Sequence, residues 1–397
     1  MNLKLYMLVL GAVLLFANCG KTTTETDNHT EFIKFYGNAS EDNFACAIEN
    51  NAGEIIFTGA VTTPKKGLQV YVAQVDIFGT VVKELFYGDS LNQNPTVIQQ
   101  FTDGTYAILG NVIKPENGKQ NIFFLKLNQN LEVIFDTVYL SAQNELCNSA
   151  VINSNSELII GGSTDKANLI YANPQGTNDF LIRQLSANGT VLNEKIYGGS
   201  GADQIQKIKI TDQYILAVGS TQSFSANLQT GYNAILLKLN LNAELIDTNT
   251  FGGEDAEFGT DIELLADGSV LLAYTGFEGG NGNTSQILLL KTASNSIHEV
   301  QWKNTVIWGT NTEAFDLLIK DNAIYVCGVS DRGGDSFKDA ALFVCNPEGI
   351  VQQSYFWGYT GEEFARQMLF TNSGLYLFGN TKTGNNAMIQ LIKPKLP

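Results

Sequence analysis

The chain has 397 residues, of which 44% are hydrophobic and 16% are charged, and this composition argues against an intrinsically disordered protein. Five cysteines are too few for a disulfide-dense scaffold of this length. A formal net charge of −16 argues against a nucleic-acid partner, because phosphates require a basic face. The 38 glycines against 7 prolines indicate many turns and few helices.

The first residues predict an export signal, residues 1–18. Lys4 supplies a positive start, and the apolar run at residues 5–16 is shorter than the roughly 20 residues that span a bilayer. The run ends in Phe-Ala-Asn-Cys, which resembles the lipobox of bacterial lipoproteins, although Asn18 replaces the small residue usual there. The resemblance implies that Cys19 carries palmitate and other acyl chains. The alternative is an ordinary secretory signal with an incidental cysteine.

Residues 19–30 are almost entirely polar and are predicted to form a tether. No later segment contains 18 consecutive apolar residues, so the only membrane contact expected is the lipid anchor. Glycine follows Cys19, which by resemblance to the enterobacterial sorting rule favours the outer membrane. The sequence leaves open whether the protein faces the periplasm or the cell surface.

The remainder, residues 31–397, repeats one unit. A β-like run ends at position 59 and again at positions 110, 162, 219, 274, 328 and 379, with glycine at all but Tyr274. Each interval holds four short β-like runs, and four strands per unit of about 40 to 50 residues are typical of a β-propeller. We therefore predict an all-β fold, a single seven-bladed β-propeller of four-stranded blades.

One unit predicts strands near residues 205–210, 214–218, 234–239 and 244–250, after which Phe251, Gly252 and Gly253 open the next unit. The last unit ends after its third strand, whereas residues 31–35 precede the first opener without strands of their own. We predict that this N-terminal strand completes the last blade and closes the ring.

The Phe-Gly-Gly opener at 251–253 and the Gly-Ser-Thr exit at 219–221 resemble the repeats of bacterial β-propeller families. Lipoproteins with such repeats look typical of Bacteroidetes-like bacteria. The resemblance implies the fold but not the function, because propellers host many unrelated activities.

The loops between the second and third strands are long and variable, and together with the openers they lie on one face of a propeller, here named the variable face. The other turns are short and uniform. These loops span 60–69, 111–121, 163–178, 220–233, 275–285, 329–339 and 380–386. A localised binding site is expected on this face or at the channel mouth there.

Acidic residues lie just before the first strands, and we selected Glu41, Asp203, Glu257, Glu313 and Glu362 as candidates. A ring of carboxylates at the channel mouth could hold a structural cation such as calcium, or one pair could perform acid–base work on a carbohydrate. The alternative is that each acid accepts hydrogen bonds from opener backbone amides. No organic cofactor is indicated.

Large aromatic residues in the variable loops are the other candidates, because they could contact a protein partner or a glycan. They are Tyr171, Phe224, Tyr232, Phe277 and Phe337.

Catalytic motifs are scarce. The chain has two histidines, which makes a Ser-His-Asp triad or a histidine-based metal site improbable, and no catalytic or metal-ligating residue is assigned. Cys327 and Cys345 lie on the second and third strands of one blade. They could form a disulfide across the hairpin or remain buried thiols.

These observations predict a lipid-anchored propeller of the cell envelope that binds or scaffolds a protein or glycan through its variable face. One alternative is a carbohydrate-active hydrolase or lyase that uses carboxylates at the channel mouth. Another is an outer-membrane assembly factor.

Overall fold

A computed structural model of the protein describes residues 31–64, 67–89, 91–116, 118–166, 178–224, 231–253, 255–277, 284–332, 337–358 and 361–396. These residues form seven four-stranded antiparallel sheets arranged as the blades of a β-propeller, which confirms the predicted fold. Within these ranges, no helix is long and apolar enough to cross a membrane.

Six blades are built from consecutive strands. Blade 1 comprises β2 (Asn43–Glu49), β3 (Ile55–Thr63), β4 (Gly67–Val75) and β5 (Val81–Tyr87). Blade 2 comprises β6 (Gln93–Gln100), β7 (Tyr106–Ile113), β8 (Gln120–Leu127) and β9 (Val133–Tyr139). Blade 3 comprises β10 (Glu145–Ile152), β11 (Leu158–Thr164), β12 (Asp179–Leu185) and β13 (Val191–Tyr197).

The chain continues around the ring in the same way. Blade 4 comprises β14 (Asp203–Ile210), β15 (Tyr214–Thr221), β16 (Asn233–Asn240) and β17 (Leu245–Phe251), close to the predicted bounds. Blade 5 comprises β18 (Glu257–Leu264), β19 (Val270–Phe277), β20 (Ser285–Ala293) and β21 (Ser296–Val306). Blade 6 comprises β22 (Thr312–Lys320), β23 (Ala323–Ser330), β24 (Asp339–Cys345) and β25 (Val351–Trp357).

Blade 7 joins the two ends of the propeller. It comprises β26 (Glu362–Thr371), β27 (Gly374–Thr383), β28 (Asn386–Lys393) and β1 (Phe32–Ser40). β1 pairs antiparallel with β28, and Phe32 lies opposite Lys393. The predicted closure by the N-terminal strand is therefore confirmed, and it pairs the edge of β28 that faces away from β27.

The second and third strands of each blade are apolar because both of their faces are covered by neighbouring blades. Every residue of β11 and of β12 is buried, whereas the outer strand β5 is largely exposed. Between blades 4 and 5, for example, Leu216 and Val218 share one core cluster with Leu272 and Leu290. Blade-to-blade packing of this kind supplies most of the buried apolar area.

The first strand of every blade is the innermost one, and it carries a β-bulge at the same position, where one residue is skipped in the register with the second strand. The bulge residues are Ala45, Thr96, Asn148, Gln206, Thr260, Phe315 and Arg366. An extra residue locally changes which side chains face a given side of the sheet. The bulge therefore fixes which residues of the first strand face the centre of the ring.

The face opposite the variable loops has short turns of repeated form. In blade 1 the Asn50 amide donates to the Glu54 carbonyl and the Gly53 amide donates to the Asn50 carbonyl, and the same pattern recurs at Phe101 and Gly104 of blade 2. Gly53 and Gly104 have φ values of 77° and 83°, which favour glycine. The short, repeated turns predicted for this face are therefore present, whereas large parts of the variable loops lie outside the described residues.

Candidate functional site

The first strands of all seven blades line a central channel with a volume of about 760 Å³. The bulge residue of every first strand lines the channel wall, and in several blades so do the residue after the bulge and the residue two before it. In blade 4 these are Gln206, Lys207 and Gln204. The first strands begin at the variable face, so the residues before the bulge lie nearest to the mouth of the channel on that face.

The acids predicted to form a ring lie at, or directly beside, one position of each first strand, three residues before the bulge. The residues at this position are Asp42, Gln93, Glu145, Asp203, Glu257, Thr312 and Glu363, and none is more than 8% exposed. Of the five candidates from the sequence, Asp203 and Glu257 occupy this buried position, and neither lines the channel.

Glu41, Glu313 and Glu362 do not occupy this position. Each is adjacent in sequence to the buried residue, and neighbouring residues of a strand point to opposite sides. Glu41 is exposed and Glu362 is half-buried. Glu313 faces the channel and forms an ion pair with Lys338 at 2.6 Å. Because the five candidates do not share one orientation, they form no common ring at the mouth.

The buried acids hold the openers in place. Asp42 accepts hydrogen bonds from the amides of Asn38 (2.5 Å) and Thr62 (2.8 Å). Asp203 accepts one from the Gly199 amide at 3.2 Å, and Glu257 accepts one from the Gly253 amide at 3.0 Å. These hydrogen bonds support the alternative considered from the sequence, in which the acids accept backbone amides and stabilise the openers.

One blade junction places two acids side by side. Asp179, at the start of β12, and Asp203 both flank Gly198, and Asp179 is 3% exposed. Its Oδ1 atom has no hydrogen-bond partner among the described residues. Burial, together with the charge of Asp203, raises the pKa of Asp179 to about 6. At the next junction, Asn233 and Glu257 flank the equivalent Gly252, so an amide replaces one acid.

The residues directly after the bulges connect neighbouring blades. They are Cys46, Val97, Ser149, Lys207, Asp261, Asp316 and Gln367. Ser149 accepts a hydrogen bond from the Ile208 amide of the next blade at 3.2 Å. Gln367 accepts one from the Ala47 amide at 2.8 Å and donates one to the Ala47 carbonyl at 3.0 Å.

In blades 4 to 6 this position carries charges. The Lys207 ammonium lies 3.5 Å from Asp316 and 3.8 Å from Asp261. Burial raises the pKa of Asp316 to about 8 despite the opposing effect of Lys207. Burial alone would lower the pKa of Lys207, but the two carboxylates outweigh it and raise that pKa.

Both carboxylates also hold backbone of the next blade. Asp261 accepts a hydrogen bond from the Leu317 amide at 3.0 Å, and Asp316 accepts one from the Met368 amide at 2.8 Å. An acid–base pair for glycoside hydrolysis needs carboxylates that can reach a substrate. Asp261 and Asp316 are instead engaged with Lys207 and with the backbone that joins blades 5, 6 and 7.

Two of the predicted loop aromatics come together at the channel mouth. Phe258 lies 5.2 Å from Tyr232 and 6.1 Å from Phe277, measured between ring centroids. We name Tyr232, Phe258 and Phe277 the mouth cluster. All three side chains are half-buried, and Phe258 and Phe277 line the channel.

The other predicted aromatics lie apart from this cluster. Phe224 is 37% exposed and stacks on Phe180 at 6.4 Å, and Phe337 is 48% exposed. Tyr171 lies outside the described residues, as does Cys19.

A second group at the mouth, which we did not predict from the sequence, is named the arginine site. The guanidinium of Arg366 lies over the rings of Phe315 at 4.8 Å and Phe364 at 5.2 Å. Its Nε donates a hydrogen bond to Asn380 Oδ1 at 3.3 Å. The Arg366 side chain is exposed to the channel, and partial desolvation by the surrounding wall lowers its pKa, but it remains protonated at neutral pH. Aligning the seven units on the buried residue three before the bulge would have shown Phe315 and Arg366 among small or neutral polar residues.

The disulfide considered from the sequence does not form. Both cysteines are free and buried. Cys327 lies opposite Leu342 and Cys345 lies opposite Ile324, an offset of three residues that places the two thiols on opposite faces of the sheet. They accordingly belong to different core clusters. Among the described residues, no group of three or more histidine, cysteine, aspartate or glutamate side chains could hold a metal ion.

No protein-family model and no curated protein matches the sequence. Solved structures share its fold. The chain is similar to BBS1N in a complex with ARL6DN, with a TM-score of 0.50 and 11% identity over 92% of this chain and 96% of that one. It is also similar to YCF48 bound to D1 peptide, with a TM-score of 0.50 and 7% identity over 92% of this chain and 95% of that one.

A third similar structure is the β-propeller domain of the Trilobed protease from Pyrococcus furiosus, which has an open velcro topology. Its TM-score is 0.50 at 10% identity, over 90% of this chain and 97% of that one. At such identities the likeness establishes the propeller fold alone, and function depends on the site.

Proposed function

We propose that this propeller is a lipid-anchored binding or scaffolding module of the cell envelope, and that it recognises a protein partner through the variable-face mouth of its channel. The proposal rests on two groups at the channel mouth, the mouth cluster and the arginine site. The acids near the mouth are buried and hydrogen-bonded to backbone amides, so they are not the groups that would meet a partner. Aromatic and arginine side chains are the residue types enriched where proteins bind one another.

The ring geometry favours a protein over a glycan. Sugar recognition by stacking uses a flat and accessible aromatic face. Here Phe258 and Phe277 meet at 89°, and Phe315 and Phe364 are tilted by 47°. Such rings form a notched apolar surface that suits a side chain better than a sugar ring. Two of the similar propellers were solved with a protein or peptide bound, which supports this choice by analogy.

The path of β1 fits an N-terminal anchor. β1 ends at Ser40 beside the start of β2, at the variable face, so Phe32 at its other end lies at the opposite face. A tether that precedes Phe32 therefore approaches from the side away from the mouth. If Cys19 is acylated in the outer membrane, the variable face is directed away from the lipid and toward a partner.

The binding proposal is tested by photocrosslinking in the native bacterium. A benzoylphenylalanine placed at Phe277 is expected to give a discrete adduct with an envelope protein. The same group at Ile134, which is 51% exposed on the outer strand of blade 2, is the matched control and should give none. Identical adducts from both positions, or no adduct from Phe277, would contradict the proposal.

The anchor is tested separately. Cys19→Ser is expected to move the protein from the membrane fraction to the soluble fraction, because several acyl chains on one residue are what retains it. Unchanged membrane association of this variant would remove the anchor from the proposal and leave the binding face untouched.

A further inference from the structure

The arginine site holds a cation whose hydrogen-bonding capacity is largely unused. A guanidinium has five N–H donors. Among the described residues, the Arg366 guanidinium makes one hydrogen bond, from Nε to Asn380, and no ion pair within 4 Å. The opposite charge that acts on it is the Glu313 carboxylate, which is itself paired with Lys338 and partly opposes the lowering of the Arg366 pKa. The two phenyl rings, whose centroids lie 6.3 Å apart, contact the guanidinium from adjacent directions and do not enclose it.

The other cations of the channel are already paired. Lys207 is held by Asp261 and Asp316, and Lys209 lies 2.9 Å from Glu263. Lys338 at the rim lies 2.6 Å from Glu313. Within the described part of the wall, Arg366 is thus the cationic side chain that remains to pair with a charge from outside.

Two neutral amide side chains lie across the channel from Arg366, next to the paired Lys207. Gln206 occupies the bulge position of blade 4, three blades from Arg366 in a ring of seven, and Gln204 lies one step nearer the mouth. Neither side chain makes a hydrogen bond to another described residue. Free amide groups pair well with the N–H and C=O groups of a peptide backbone.

From these three observations we propose that Arg366 binds a carboxylate side chain of an acidic peptide segment that enters the channel from the variable face. This inference rests on the proposed function and specifies its partner. An Arg–carboxylate pair in an enclosed, partly apolar wall is a strong charge-assisted interaction, and the planar guanidinium can hold both oxygens. An apolar residue next to the acid would contact the mouth cluster, and the segment's backbone would pair with Gln204 and Gln206.

The test is selection from a phage-displayed library of random peptides on the immobilised full chain. We expect the selected peptides to be enriched in Asp or Glu beside an apolar residue. Replacing the selected acid by its amide should weaken binding to the unaltered protein at least about tenfold, a comparison that requires no protein variant. Arg366→Gln should cause a similar loss, and Arg366→Lys a smaller one because it keeps the charge but not the bidentate geometry.

Lys382→Gln is the matched control, since it removes a cation of the same face and blade outside the channel wall, and it should leave the affinity unchanged. Peptides without acid enrichment, or affinities that Arg366→Gln does not alter, would overturn the inference while the photocrosslinking result could still stand. Selection of no peptide, together with Arg366-dependent binding of an acidic oligosaccharide such as oligogalacturonate, would also overturn it. Loss of the Phe277 adduct alone would count against the proposed function instead.

Discussion

The channel wall has two unlike halves. In blades 1 to 3 the bulge residue and the residue after it are neutral, as at Cys46, Val97 and Ser149, whereas in blades 4 to 7 these positions include Lys207, Asp261, Asp316 and Arg366. Both halves connect adjacent blades: Ser149 accepts a backbone amide of the next blade as Asp316 does. A hydroxyl therefore suffices for this connection, and the fold does not demand the charges. The charged half also carries the arginine site and the mouth cluster, so the proposed binding site lies on this side.

The largest expected effect comes from placing a charge in the neutral half. Val97 is 4% exposed and occupies the same position after the bulge as Asp261. Val97→Asp should lower the free energy of unfolding by about 4 kcal/mol or more at pH 7, because a carboxylate would be buried in an apolar cluster. Val97→Ser, the control, should cost only about 1 to 2 kcal/mol. Urea denaturation measures both, and equal losses would show that charge is not what distinguishes the halves.

Removing the cation from the charged half should have a somewhat smaller effect. Lys207→Met leaves Asp261 and Asp316 without their counter-charge, and breaking a buried pair costs roughly 3–5 kcal/mol. Because the Lys207 side chain is 31% exposed to the channel, we expect a loss of about 2 to 4 kcal/mol at pH 8.

The loss should shrink at pH 5, because protonation of Asp316 removes one of the stranded charges. In the unaltered protein the pKa of Asp316 is raised, so its contribution favours folding at low pH and is lost as the pH rises toward 8. Gln206→Met, a channel residue outside the ion pair, should show no such pH dependence. A loss for Lys207→Met that is the same at both pH values would contradict this account.

The smallest effect is a stabilisation. Asp179→Asn gives the junction beside Asp203 the amide–acid pairing seen at Asn233 and Glu257. The pKa of Asp179 is raised to about 6, so its protonated form favours folding and that contribution is lost as the pH rises from about 4 through 6. The variant should gain about 1 to 2 kcal/mol at pH 7 and little at pH 4. A gain that does not depend on pH would contradict this explanation.

Much of the fold could be predicted because the repeat encodes it seven times. The strands of blade 4 and the pairing of β1 with β28 follow from the spacing of short apolar runs and from a last unit that lacks one strand. The turn glycines Gly53 and Gly104 mark the uniform face in the same way. Tyr232 and Phe277 were recognised as candidates because large aromatic residues stand out in polar loops.

The orientation of side chains in the first strand could not be predicted, since it depends on the bulge. Glu41 and Asp42 are both acidic residues, as are Glu362 and Glu363, but only the second residue of each pair is buried in the blade junction. A bulge shifts the alternation by one residue without a consistent sequence signal, because the bulge residues range from alanine to arginine. Arg366 was missed for the same reason.

The pairing of β1 with β28 also has a consequence for biosynthesis. Among the strands of the ring, β1 leaves the ribosome first and β28 last, so this pairing forms only after all seven blades have been made. A chain that is released early leaves β1 without its partner and exposes an unpaired strand to aggregation and proteolysis. The pairing of Phe32 with Lys393 therefore forms only in a product that has been synthesised through the last blade.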